Sequence, residues 1–162
     1  MPLADLWTTL ENLPLAVYIG ESWWFPFLES IHVLTATFVA GSIVMVDLRL
    51  IGWAARQYPI GRITREVVPW TLGACGISVV VGLALFATRA GHYAANVAFQ
   101  VKMILLLLAG INMGVFHLVT SRRIAEWDTP GATPSSARLA GASSLLLWIG
   151  VMLAGRWIGH LS

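Results

Sequence analysis

The chain has 162 residues, 57% of them hydrophobic and 11% charged, with a formal net charge of +2. A soluble domain usually carries about a quarter charged residues, so this balance excludes an ordinary soluble fold and points to a membrane. The small net charge offers nothing to nucleic acid, and one cysteine, Cys75, excludes an intramolecular disulfide or a thiolate cluster.

The N-terminus lacks the basic segment of a cleavable signal and holds Asp5, Glu11 and Glu21 instead. The first span is therefore expected to act as the insertion signal too. Leu3, Leu6, Trp7, Leu10, Leu13 and Val17 recur at helical spacing, and Pro14 limits any continuous helix. Residues 2–18 read as a short amphipathic segment lying on the membrane surface.

Four apolar spans follow, at about 24–49, 67–90, 97–119 and 139–158. Each fits roughly 30 Å of hydrocarbon at about 1.5 Å per residue. Pro26 suits the first turn of the first span, where its missing N–H costs little. The loop after it carries Arg49, Arg56, Arg62 and Arg65, with Pro59 and Gly61 as breakers. The second span opens with Pro69 and Trp70, and Gly73, Gly76, Ser78 and Gly82 let a neighbouring backbone approach. A short turn, Arg89 to Asn96, leads to the third span, whose Gly110 and Gly114 form a Gly-x-x-x-Gly close-packing pattern. The next loop holds Arg122, Arg123, Glu126, Asp128, Pro130, Gly131 and Pro134 and is expected to be polar and mobile. In the fourth span Gly155 and Gly159 repeat the four-residue small spacing.

The fold class expected is all-α: a transmembrane up-down-up-down four-helix bundle with a short N-terminal interfacial helix, residues 1–162 forming one integral membrane domain. Arginine placement sets the orientation. Arg49, Arg56, Arg62, Arg65, Arg122, Arg123 and Arg138 fall on one side, whereas Arg89, Arg156 and Lys102 fall on the other with the acidic N-terminus. The positive-inside rule puts the arginine loops in the cytoplasm and both termini outside, which in a bacterial inner membrane means the periplasm.

Ionisable residues inside the spans are the informative feature. Glu29 comes out about 10 Å outward of the midplane, His32 about 6 Å, Lys102 about 9 Å and Arg156 about 12 Å. On the cytoplasmic side Asp47 lies about 16 Å and His117 about 13 Å inward, with Arg138 entering at a neighbouring depth. Glu29 and Asp47 share one helical face, and Lys102 shares a stripe with His117. Two layers follow: an outer one of Glu29, His32, Lys102 and Arg156, and an inner one of Asp47, His117 and Arg138, with Asn112 between. Such groups either pair to fix helix register or mark a ligand, a proton route or a cofactor. Apolar residues in the middle of every span argue against a continuous proton wire.

Four histidines in a four-span bundle raise the question of a b-type haem, which needs two imidazoles at similar depth on facing helices. His32 is the best placed, with His92 and His160 shallower, and His117 stands alone on the inner side. Glu29 and His32 also form an i, i+3 Glu-x-x-His pair, a spacing that ligates metal in carboxylate bundles when further helices repeat it. The other spans offer no repeat.

Several strings together resemble a bacterial family of about this length known only as a domain of unknown function. They are Pro14-Leu15-Ala16, Glu21-Ser22-Trp23-Trp24-Phe25-Pro26, Glu29-x-x-His32-Val33-Leu34, Asp47-Leu48-Arg49-Leu50-x-Gly52 and Phe99-x-x-Lys102. Ala109-Gly110-x-Asn112, Phe116-His117 and Arg138 to Gly141 through Trp148 to Gly155-Arg156 complete the set. The resemblance covers nearly the whole chain and implies a four-span integral membrane protein, without implying a reaction. A looser likeness, of architecture alone, is to four-helix membrane cytochromes and copper-resistance membrane proteins. The leading expectation is a non-enzymatic protein whose polar outer cavity binds a ligand, a metal ion or another membrane or periplasmic subunit. The alternative is a haem b electron carrier using His32 and His117. A small transporter or channel, as a homo-oligomer, is a second alternative.

Overall fold

The computed structural model describes residues 2–55, 57–120 and 133–161, and among them every regular element is helical. Arg56 and, from the loop expected to be polar and mobile, Arg122, Arg123, Glu126, Asp128, Pro130 and Gly131 lie outside the described residues. Two short helices come first, α1 (Pro2–Glu11) and α2 (Pro14–Gly20), broken where Pro14 lacks the N–H that a continuing helix needs. The long helices are α3 (Trp24–Ile51), α4 (Ile60–Thr88), α6 (Val97–Val115) and α7 (Ser135–Trp157). A one-turn helix, α5 (Ala90–Ala95), occupies the Arg89 to Asn96 connection. A π-helical turn at Phe116–Thr120 extends α6.

The four long helices are each long and apolar enough to cross a membrane. Their burial fits a lipid surrounding: no residue in the apolar window of α4 is fully buried inside the protein, and Leu72, Ile77, Val79, Val80 and Leu83 stand exposed on it. Hydroxyls within the spans are satisfied locally, as with Ser30 to the Pro26 carbonyl at 2.8 Å and Ser42 to Phe38 at 2.7 Å. Exposed Trp23 and Trp157 mark one end of the bundle and Trp53 and Trp70 the other, as interfacial belts do.

The helices are arranged in space as α4–α3–α7–α6. The central pair is α3 and α7, with α4 packed on α3 and α6 on α7, while α4 and α6 share few contacts. Those two meet at the outer end, where Phe86 stacks on Phe99 with ring centroids 5.4 Å apart and Trp7 of α1 meets Phe86 edge-on at 5.7 Å. Glu11 anchors α1 there by accepting the Gly91 N–H at 2.8 Å. Asn96 is buried and does two jobs: its Oδ1 caps α6 through Phe99 N at 3.1 Å, and its Nδ2 donates to the Ile158 carbonyl at 3.2 Å.

The other end is closed by a small core of Leu50, Ile60 and Ala137, with Val46 and Phe116 against it. Gly52 ends α3 at φ 89°, a left-handed cap that lets its N–H reach the Leu48 and Arg49 carbonyls. Arg49, expected where the first span meets the loop, turns inward. It lies in the last turn of α3, only 2% exposed, with Nε donating to the Tyr58 carbonyl at 2.8 Å and a terminal nitrogen to Thr133 Oγ1 at 3.2 Å. One buried guanidinium thus ties the connection after α3 to the segment that starts α7.

Candidate functional site

The site is built on α3. Its Glu-x-x-His turn brings His32 against α4, where the residues opposite are small. A Cβ placed on Gly82 would lie 2.9 Å from the His32 ring carbon Cε1, so only glycine admits the imidazole here. The ring is then held by Nδ1, 2.9 Å from the Ser78 carbonyl oxygen and 3.3 Å from the Ser78 hydroxyl. A carbonyl oxygen can only accept, so Nδ1 carries the proton and donates to it. In the neutral ring this leaves Nε2 as an acceptor, its orientation fixed from behind. A carbonyl behind the ring is the support that metal-ligating and catalytic histidines use.

Lys102 of α6 lies half-buried, and its Nζ passes 3.7 Å from where a Cβ on Gly155 of α7 would stand. Both Lys102 and Glu29 are near enough to act electrostatically on His32. The sequence raised the prospect of a charge-paired layer, and the structure does not form one. Glu29 and Arg156 stand exposed, and the ion pair formed among the described residues is Arg62–Glu66, an exposed pair at 3.1 Å. The reason is rotation about the helix axis: Glu29 points out of the bundle, whereas Lys102 lies across the gap that Gly155 leaves. Above this layer, burial pushes the phenol of Tyr93 in α5 above its usual range, against the Arg89 guanidinium and with a smaller push from Glu29.

The inner residues separate. Asp47 is 4% exposed, lies where α3 crosses α7 at Gly141, and has Ser144 as its side-chain hydrogen-bond neighbour, while Oδ2 has no partner. Arg138 is exposed in the first turns of α7. His117 is exposed in the π-helical turn, with Nδ1 3.0 Å from the Met113 carbonyl. Asn112 joins helices rather than layers, its Nδ2 donating to the Ala140 carbonyl of α7 at 3.1 Å.

A bis-histidine haem needs two facing imidazoles, and no second histidine among the described residues faces His32. His92 and His160 are exposed on α5 and beyond α7, and His117 belongs to the other end. Measured against a metal ion, no cluster of three His, Cys, Asp or Glu occurs among the described residues, so Glu29 and His32 lack a third protein ligand. Ser78, Gly82 and Gly155 were not singled out for this site by sequence. Their only signal was a small-residue run, which reads as helix packing.

Four apolar helices packed on one another, with ionisable side chains in their interior, define a multi-pass integral membrane protein. Residues 12–161 match a family of unknown function, DUF6644, and the chain belongs to that family. No curated protein and no solved structure matches the chain significantly.

Proposed function

We propose that this protein is a non-enzymatic binding protein of the bacterial inner membrane, with both termini in the periplasm. It holds a small polar ligand or headgroup in the outer half of the bundle. The observation that carries this reading is the His32–Lys102 pair: an imidazole locked by Ser78 with Nε2 left to accept, near an amine with no carboxylate partner among the described residues. An unpaired cation in an apolar interior costs several kcal/mol, roughly, unless something else meets it. A bound group with a hydroxyl for Nε2 and an acceptor for Lys102 would satisfy both.

A second reading, in which His32 is one axial ligand of a haem or coordinates a metal, is favoured by the Nδ1 hydrogen bond alone. A bis-histidine version of it requires the opposite imidazole from another subunit.

One purification separates these readings. The protein taken from its native membrane is analysed by absorption spectrum, elemental analysis and mass spectrometry of the organic extract. The binding reading expects an organic species near one per chain that is lost in folded His32→Ala and Lys102→Met. A Soret band or stoichiometric metal that depends on His32 would transfer support to the second reading. A protein that carries nothing, or variants that keep the bound species, would defeat both.

A further inference from the structure

Outside this site, α4 carries two hollows along one face. Near its start, a hollow of about 400 Å³ is lined by Pro59, Gly61, Arg62, Arg65 and Glu66. Further along, an apolar groove of about 700 Å³ lies between α3 and α4, walled by Phe38, Pro69, Gly73 and Ile77 among others. At 100° per residue Arg62, Pro69, Gly73 and Ile77 fall within a sector of about 80°, so the hollows succeed each other along one stripe. We propose that this stripe is a binding site for a single anionic phospholipid, its phosphate on the arginines and an acyl chain in the groove.

Length and charge both select that occupant. From Arg62 to Ile77 the helix rises about 22 Å. Half of a bilayer about 40–45 Å thick, headgroups included, is the same length. The hollow holds two guanidiniums against one carboxylate, and Arg62 Nε already engages Glu66 Oε1 at 3.1 Å. The Arg65 charge is left for a phosphate, which Arg suits through its planar array of donors. Trp70, 74% exposed, lies about two turns along α4 from Arg62 and lines the groove that follows the arginines. Gly73 and Ala74 keep the floor of the groove on α4 low between Trp70 and Ile77, and a Cβ on Gly73 would meet nothing within 4 Å.

The test is native mass spectrometry of the full chain released from nanodiscs of equal phosphatidylglycerol and phosphatidylcholine. The wild type is expected to retain one phosphatidylglycerol in preference to phosphatidylcholine. In Arg62→Gln/Arg65→Gln the preference should fall to parity with lipid still retained. In Gly73→Leu, whose Cβ enters open space and whose branch occupies the groove, the retained lipid should be lost. Equal retention of both lipids by the wild type, or variants indistinguishable from it, would mean annular lipid only and overturn the proposal. So would a Gly73→Leu protein whose sole change is a smaller oligomer, since the groove would then be an interface between copies of this chain.

Discussion

Gly141→Ala is expected to destabilise the bundle by about 1–3 kcal/mol, near the upper end of that range for overpacking. At this position a Cβ would stand 2.9 Å from Leu50 Cβ and 3.2 Å from the Asp47 carbonyl oxygen. Neither neighbour is the flexible end of a side chain, so the helices α3 and α7 must move apart. That crossing joins the two halves of the spatial row, α4 with α3 and α7 with α6, so its loosening is felt across the whole bundle. The same substitution at Gly110 or Gly114 should do the reverse. A Cβ there meets nothing within 4 Å, and alanine is better than glycine in a helix interior by roughly 0.5–1 kcal/mol. Thermal unfolding of the three variants in nanodiscs checks the ordering. A Gly110→Ala protein as weak as Gly141→Ala would mean that α6 packs through its glycine pair.

Arg49→Met should lower stability by about 2–3 kcal/mol, the scale of losing charge-assisted hydrogen bonds to buried partners. The methionine roughly fills the space but leaves the Tyr58 carbonyl without its donor and frees Thr133 from α3. Arg49→Lys should recover little, because a point ammonium cannot reach the two partners at once as the guanidinium fork does. Denaturation midpoints of the two variants against wild type provide the measurement. Full recovery by lysine would reduce Arg49 to a charge placed for topology.

Much of the architecture was written in run lengths. Four apolar stretches of bilayer length, separated by Pro, Gly and Arg, give four spans, and Pro14 divides the interfacial segment. Tertiary choices were not written there. The Gly-x-x-x-Gly pair at Gly110 and Gly114 carries the usual sign of close packing, yet the close approaches occur at Gly82, Gly141 and Gly150. Spacing marks a smooth helical surface but does not name the partner. Arg49 looked like any loop arginine, because nothing local distinguishes a guanidinium that turns inward on Tyr58 and Thr133. At the site, helix rise gives the depths of His32 and Lys102. The rotation that turns Glu29 outward, and the Ser78 carbonyl that fixes the imidazole, come from a helix some 46 residues away.

His32 is held from behind and presents Nε2 as an acceptor in the outer half of the bundle. Nitrogen-15 NMR of histidine-labelled protein in nanodiscs at neutral pH reads this directly, with His32→Gln used to assign the signal. The expected result is a single tautomer for His32, protonated at Nδ1 and bare at Nε2, whose signature is lost or averaged in Gly82→Ala, where the added methyl displaces the ring from Ser78. A His32 ring protonated at Nε2, or exchanging freely between tautomers in the wild type, would contradict the account.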